Sequence, residues 1–251
     1  MNQIKLHAYG CTDIGLNRLY NEDYFDMNDF FFVLADGMGG HKAGDVASKS
    51  AVDHIMSFIK TLDDSKINKY ADEMHVQKII SDAIKKTNET VFNEALKDKD
   101  FEGMGTTLVL ALFQKPHTMH IANVGDSRAY LLRNEQLNLL TEDHSITATM
   151  VREGTISQNE ANKHPYRHHL TRSIGTTNQV EVFTNFFHVF PEDKILLCTD
   201  GLWDVLADEK IKELLQKHSN PEKICNTLLF EAKKLQSNDN ISSIAITVSK
   251  K

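Results

Sequence analysis

Residues 30–41 read FFFVLADGMGGH. The run 30–35 is apolar without a break, as expected of a short strand buried on both faces. Asp36 ends it, and three glycines follow within the next five positions, which implies close approach of the backbone to something. The same arrangement recurs along the chain. IANVG leads into Asp126-Ser127-Arg128, ILLCT leads into Asp200-Gly201, and Asp239-Asn240 stands immediately before another apolar run. Four carboxylates therefore fall at strand ends, where a rigid backbone can aim short side chains into one cleft. Any single Asp-Gly is also an ordinary turn dipeptide, so it is the repetition that carries information.

Working outward, strands are expected at 107–113 (TLVLALF), 118–124 (TMHIANV), 129–132, 194–199 and 241–248. The Gln-Lys-Pro-His turn at 114–117 suits an antiparallel hairpin. Apolar residues at helical spacing predict helices over 43–59 and 73–96. Asn220-Pro221 reads as an N-cap followed by proline in the first turn, opening a helix to about Leu235. Strands cluster and helices cluster, the pattern of an α+β fold with helices outside antiparallel sheets. The 251 residues show no repeat, no linker and no low-complexity tract, so one domain over 1–251 is expected.

Composition narrows the function. Apolar residues are 41% and charged residues 25% of the chain, with a formal net charge of −7. An acidic surface disfavours nucleic acid and anionic membranes as partners. No stretch reaches the ~20 apolar residues of a membrane span. The first residues, MNQIKLHAYG, lack the apolar centre of a signal peptide, so a cytoplasmic location is expected. Three widely spaced cysteines, Cys11, Cys198 and Cys225, argue against a disulfide framework and against a zinc site. Hard cations such as Mg²⁺ and Mn²⁺ prefer oxygen donors, and strand-end aspartates supply them.

These segments, with TDIG at 12–15, Arg18, Asn21, Glu22 and Asp23, DGMGGHKAGDVAS at 36–48 and GMGTTLV at 103–109, carry a resemblance. So do ANVGDSRAYLLR at 122–133, LTEDHS at 140–145, HPYRHHLTRSIG at 164–175, LLCTDGLWDVL at 196–206 and NDNISSI at 238–244. In order and spacing, the chain resembles the metal-dependent protein phosphatases of the protein phosphatase 2C group, in particular their short bacterial members. The resemblance implies a four-layer α-β-β-α sandwich with two central antiparallel sheets. It also implies serine/threonine phosphatase activity with two Mg²⁺ or Mn²⁺ ions, and a third, weaker one. Asp36 matches the bridging ligand, Gly37 a carbonyl ligand, and Asp200 and Asp239 the other carboxylate ligands. Glu22 and Asp23 match acids that hold metal-bound waters, Asp126 a ligand of the third metal, and Arg18 the group that grips the substrate phosphate.

His41 is the candidate general acid by motif, though its spacing differs from that of members with Asp-Gly-His; hydrogen bonding within the loop is the other reading. Ser127 lacks a recognisable base beside it and reads as a turn residue. Residues 144–172 resemble a flap beside the cleft. The His- and Arg-rich part of it reads either as a solvated basic loop or as a recruiter of phosphorylated segments. Ser237-Asn238 stands where many members have Gly-Gly, and both residues still tolerate a turn. Phosphorylated proteins are the implied partners, with a cognate serine/threonine kinase in the same cell and a monomeric state. A regulatory module without catalysis and a hydrolase of small phosphate esters are the competing functions. The absence of a Walker-type loop disfavours a P-loop enzyme.

Overall fold

The structure is a computed structural model that describes residues 4–39, 43–61, 72–114 and 117–251. Strand β3 (Phe31–Met38) lies near the centre of the molecule. Its alternate side chains feed two different cores, as the two-residue period of a strand requires. Phe31, Val33 and Ala35 point toward the helices, while Phe32 and Leu34 point between the sheets. The unbroken apolar run at 31–35 is the sequence mark of that double burial.

β3 belongs to a six-stranded sheet with β2 (Asp23–Met27), β4 (Gly105–Thr106), β5 (Leu108–Gln114), β6 (Thr118–Val124) and β9 (Phe183–His188). The order is β2-β3-β5-β6-β9, with β4 added at the end of β3. A five-stranded sheet has the order β1-β11-β10-β7-β8. It comprises β1 (Ile4–Asp13), β7 (Arg128–Arg133), β8 (Gln136–Leu139), β10 (Lys194–Cys198) and β11 (Ile241–Lys250). Every pairing is antiparallel.

Three buried clusters hold the layers together. Helices α1 (Ala43–Thr61) and α2 (Glu73–Ala95) cover the outer face of the six-stranded sheet through Ala47, Ile55, Ile80 and Ile84. Between the sheets, Phe32 meets Phe113 edge to face at 5.6 Å, among Leu34, Ile195, Leu197 and Ile246. After three short helices, α3 (Ile146–Arg152), α4 (Gln158–Ala161) and α5 (Asp200–Trp203), the far side is covered by α6 (Asp208–Lys217) and α7 (Pro221–Lys234), which seat Leu214, Leu215, Ile224 and Leu228 on Leu196 and Ala245. Each such side chain contributes roughly 1.5–3 kcal/mol on burial. The result is the four-layer α-β-β-α sandwich that the family resemblance implies. Asn220 caps α7, accepting from the N–H groups of Glu222 and Lys223, and Pro221 occupies the first turn.

Register decides where the aspartates go. Asp23 pairs with Asp36, Asp13 with Ile241, and Cys198 with both Ser243 and Arg128. The end of β3, the end of β10, the β6–β7 turn, the start of β2 and the start of β11 therefore share one end of the sandwich. Among the described residues, no helix is long and apolar enough to cross a membrane.

Candidate metal centre

At that end, Asp36 is fixed through its backbone. Its N–H donates to Thr107 Oγ1 at 3.0 Å. Its carbonyl accepts from Thr106 Oγ1 and from the Thr107 N–H, both at 2.8 Å. Thr107 Oγ1 in turn lies 2.7 Å from Ser127 Oγ. Ser127 is thus a buried brace beneath Asp36. The glycine after Asp36 has a packing cause: a Cβ on Gly37 would lie 2.0 Å from Gly44 O. Gly37 N donates to Glu22 O at 3.0 Å, which joins the two acidic segments.

Asp23 lies beside Asp36 in the sheet, and its Oδ2 accepts from Thr199 Oγ1 at 3.0 Å. Thr199 immediately precedes Asp200, so one hydroxyl links two of the proposed acids. Asp239 Oδ2 lies 2.5 Å from Arg18 Nη2, and Glu22 Oε2 lies 3.8 Å from Arg18 Nη1. Ser237 Oγ donates to Gly201 O at 2.8 Å, and Asn238 Oδ1 accepts from Asn17 Nδ2. The two residues that depart from Gly-Gly therefore brace the turn that carries Asp239. Asp126 is buried, and its carbonyl accepts from Trp203 Nε1 at 3.0 Å. Arg128 stacks over Trp203 at 3.6 Å and forms a bidentate pair with Asp143.

Burial and like charge dominate the electrostatics. Burial, followed by the carboxylates of Asp23, Asp200, Asp239 and Asp126, pushes Asp36 well above the ordinary aspartate range. Burial and Asp200 do the same to Asp126. Asp23 is raised to about 7 and Asp200 to about 6, each first by burial. Among the described residues, Asp23 Oδ1, Asp200 Oδ1, Glu22 Oε1 and Asp45 Oδ1 are buried with no hydrogen-bond partner. Several buried acids with unpartnered oxygens are costly unless a cation answers them. The donors are all oxygens, which suits Mg²⁺ or Mn²⁺. No group of three or more His, Cys, Asp or Glu side chains among the described residues closes around one point. Arg18 engages Asp239 on the rim of the group.

His41 lies outside the described residues, so its two readings stay as they were. In the flap, Arg167, His168 and His169 are exposed, as a solvated basic loop would have them, whereas His144 is withdrawn from solvent. His144 is buried, and burial lowers its pKa to about 4. Its ring contacts Gly125 N at 3.2 Å and Arg172 Nη1 at 3.0 Å. Arg167 pairs with Asp204 at 3.3 Å, and His168 Nδ1 lies 3.9 Å from Asp200 Oδ2. Three supporting residues escape sequence reasoning. Asn240 accepts from Glu22 N and donates to Ile14 O and Tyr20 O. Thr199 and Asp45 complete the set. All three lie inside the recognised motifs, but the groups they face, such as Asp23 for Thr199 and Glu22 for Asn240 and Asp45, come from distant segments.

Known proteins resemble this chain over nearly its whole length. Residues 17–234 match the family described as protein phosphatase 2C. The serine/threonine phosphatase stp of Listeria monocytogenes serovar 1/2a is 35% identical over 246 residues, which cover 96% of this chain and 95% of that protein. The crystal structure of the Mycobacterium tuberculosis serine/threonine phosphatase PstP/Ppp superposes with a TM-score of 0.88 at 31% identity, covering 98% of this chain and 99% of that one. The catalytic domain of PstP in complex with 2 manganese ions gives 0.85 at 31% identity, covering 99% of this chain and 100% of that one. This chain belongs to the protein phosphatase 2C family.

Proposed function

We propose that the acidic end of the sandwich is the active site of this chain, a metal-dependent protein serine/threonine phosphatase. The observation that carries the assignment is the set of buried, charge-crowded carboxylates with unpartnered oxygens beside Arg18. Asp36, Asp200 and Asp239, with the Gly37 carbonyl, would hold two Mg²⁺ or Mn²⁺ ions. Glu22 and Asp23 would position water around them, and Asp126 with Asp200 would serve a third ion. When bound, the cations supply an activated water and positive charge for the phosphoryl oxygens. Arg18, half-exposed and next to Asp239, is placed to hold the phosphate of a phosphoserine or phosphothreonine side chain. Thr107, Ser127 and Thr199 keep Asp36 and Asp23 from shifting. His41 is proposed as the donor of the proton that the leaving alkoxide needs.

The substrates are phosphorylated proteins. A cognate serine/threonine kinase, a monomeric state, a cytoplasmic location and a single catalytic domain over 1–251 belong to the same reading. The continuous cores on both sides of each sheet support the single domain. Phosphate release from a phosphothreonine peptide with Mn²⁺, with Mg²⁺ and with EDTA tests the activity. Release with metal that EDTA abolishes is expected. No release with either metal on several phosphopeptides would favour a regulatory module.

A further inference from the structure

The cysteines, separated by long stretches of sequence, are not scattered in space. Cys11 lies on β1 opposite Ser243 of β11, and Cys225 lies on α7, which packs over both strands. Cys11 Sγ is 3.5 Å from Ser243 Oγ. Cys225 Sγ donates to Tyr9 O at 3.1 Å and lies 3.8 Å from Ser243 O. Both sulfurs thus lie against Ser243, Cys11 on its hydroxyl and Cys225 on its carbonyl, beside the same short stretch of β1. Cys225 is fully buried, whereas Cys11 keeps part of its surface open. We propose that Cys11 and Cys225 are a paired modification site, which a peroxide converts into an intramolecular disulfide.

The two thiols differ in the way the reaction needs. The neighbouring Cys225 side chain holds Cys11 below the ordinary thiol range, despite its partial burial. The same contact, followed by burial, pushes Cys225 far up. Cys11 is then the attacking thiolate and Cys225 the resolving thiol. In the first step the Cys11 sulfur donates an electron pair to one peroxide oxygen and the O–O bond breaks. Cys11 becomes a sulfenic acid, and the other oxygen leaves and takes a proton. In the second step the Cys225 sulfur attacks the Cys11 sulfur and the S–O bond breaks. Hydroxide leaves and takes the Cys225 proton as water. Two thiols lose two electrons, and the peroxide gains them. Cys198, fully buried in the same layer, has no such neighbour among the described residues and serves as an internal control.

The site joins two arms that lead to the cleft. β1 continues through Asp13 into the segment that carries Arg18, and α7 continues into Ser237 and Asp239. Lys233 on α7 already meets Asp13 at 2.8 Å. A disulfide would fasten the same two elements covalently and raise the melting temperature under non-reducing conditions.

The test is independent of what the cleft hydrolyses. The full chain in EDTA is treated with hydrogen peroxide, digested without reductant and mapped by mass spectrometry. A Cys11–Cys225 cross-linked peptide that dithiothreitol removes, with Cys198 still a free thiol, is the expected result. Cys225→Ser should stall at a Cys11 sulfenic acid that dimedone traps, and Cys11→Ser should leave Cys225 reduced. If Cys225→Ser does not fold, the wild-type map alone decides. Free thiols at both positions after peroxide treatment, or cross-links that involve Cys198 or join two chains, would overturn the proposal.

Discussion

Arg18 Nη2 and Asp239 Oδ2 stand 2.5 Å apart, so the proposed phosphate grip and a proposed metal ligand are each other's partner. A cation on Asp239 and a phosphate on Arg18 would each draw on this pair. Arg18→Ala removes one side of it. KM for a phosphothreonine peptide should rise ~10-fold or more, the scale of a lost hydrogen bond to a charged group. Mn²⁺ affinity should hold or tighten, because Asp239 is then free of its competitor. Steady-state kinetics and calorimetric Mn²⁺ titration check the two halves separately.

Asn240 offers a prediction that reaches Arg18 indirectly. Its side chain pins both ends of residues 14–20, through Ile14 O and Tyr20 O, and accepts from Glu22 N. Asn240→Ala leaves these backbone groups without partners and should cost about 2–3 kcal/mol of stability. It should also raise KM, since the segment carrying Arg18 loses its anchor. Denaturant unfolding and kinetics on the same variant test both effects.

The crowded acids make stability depend on pH. Asp23 and Asp200 have folded pKa values of about 7 and about 6, above their unfolded values. The folded state therefore holds more protons than the unfolded state across this window. Stability from these groups must fall as pH rises from about 4 to about 7. In EDTA the melting temperature should decline over this interval. Mn²⁺ should flatten the decline by binding the ionised carboxylates. Melting curves at constant ionic strength, with and without metal, provide the check.

Arg128 is the keystone of the wall behind Asp126. It pairs with Asp143, donates to Tyr130 OH at 2.9 Å and stacks on Trp203, which in turn holds the Asp126 carbonyl. Arg128→Met would leave Asp143 largely buried and unpaired. Such a break costs about 3–5 kcal/mol. Urea unfolding measures it.

The features legible in the sequence were those with a local cause. β3 and β10 are double-buried and so read as unbroken apolar runs. α7 announces its start through Asn220 and Pro221. β1 does not announce itself: its residues alternate in exposure, and Gly10 sits where a Cβ would strike the Phe25 ring. α6 is short and rich in charge, so only its buried Ile211, Leu214 and Leu215 mark it. The candidate acids stood out because they end strands. Thr199, Asn240 and the Cys11–Cys225 pair did not, since their partners lie up to 226 positions away and only the sheet register brings them together. The resemblance supplied the roles of Arg18 and Asp239, but the ion pair between them is visible only in three dimensions.

The most direct test of the metal centre compares wild type with Asp36→Asn, by Mn²⁺ calorimetry and by phosphate release from a phosphothreonine peptide on the same preparations. Asp36 is buried among like charges, so the variant should fold and, in EDTA, melt no lower than wild type. It should nonetheless lose both tight Mn²⁺ binding and turnover. Unchanged Mn²⁺ affinity and undiminished phosphate release in Asp36→Asn would contradict the assignment of this cleft.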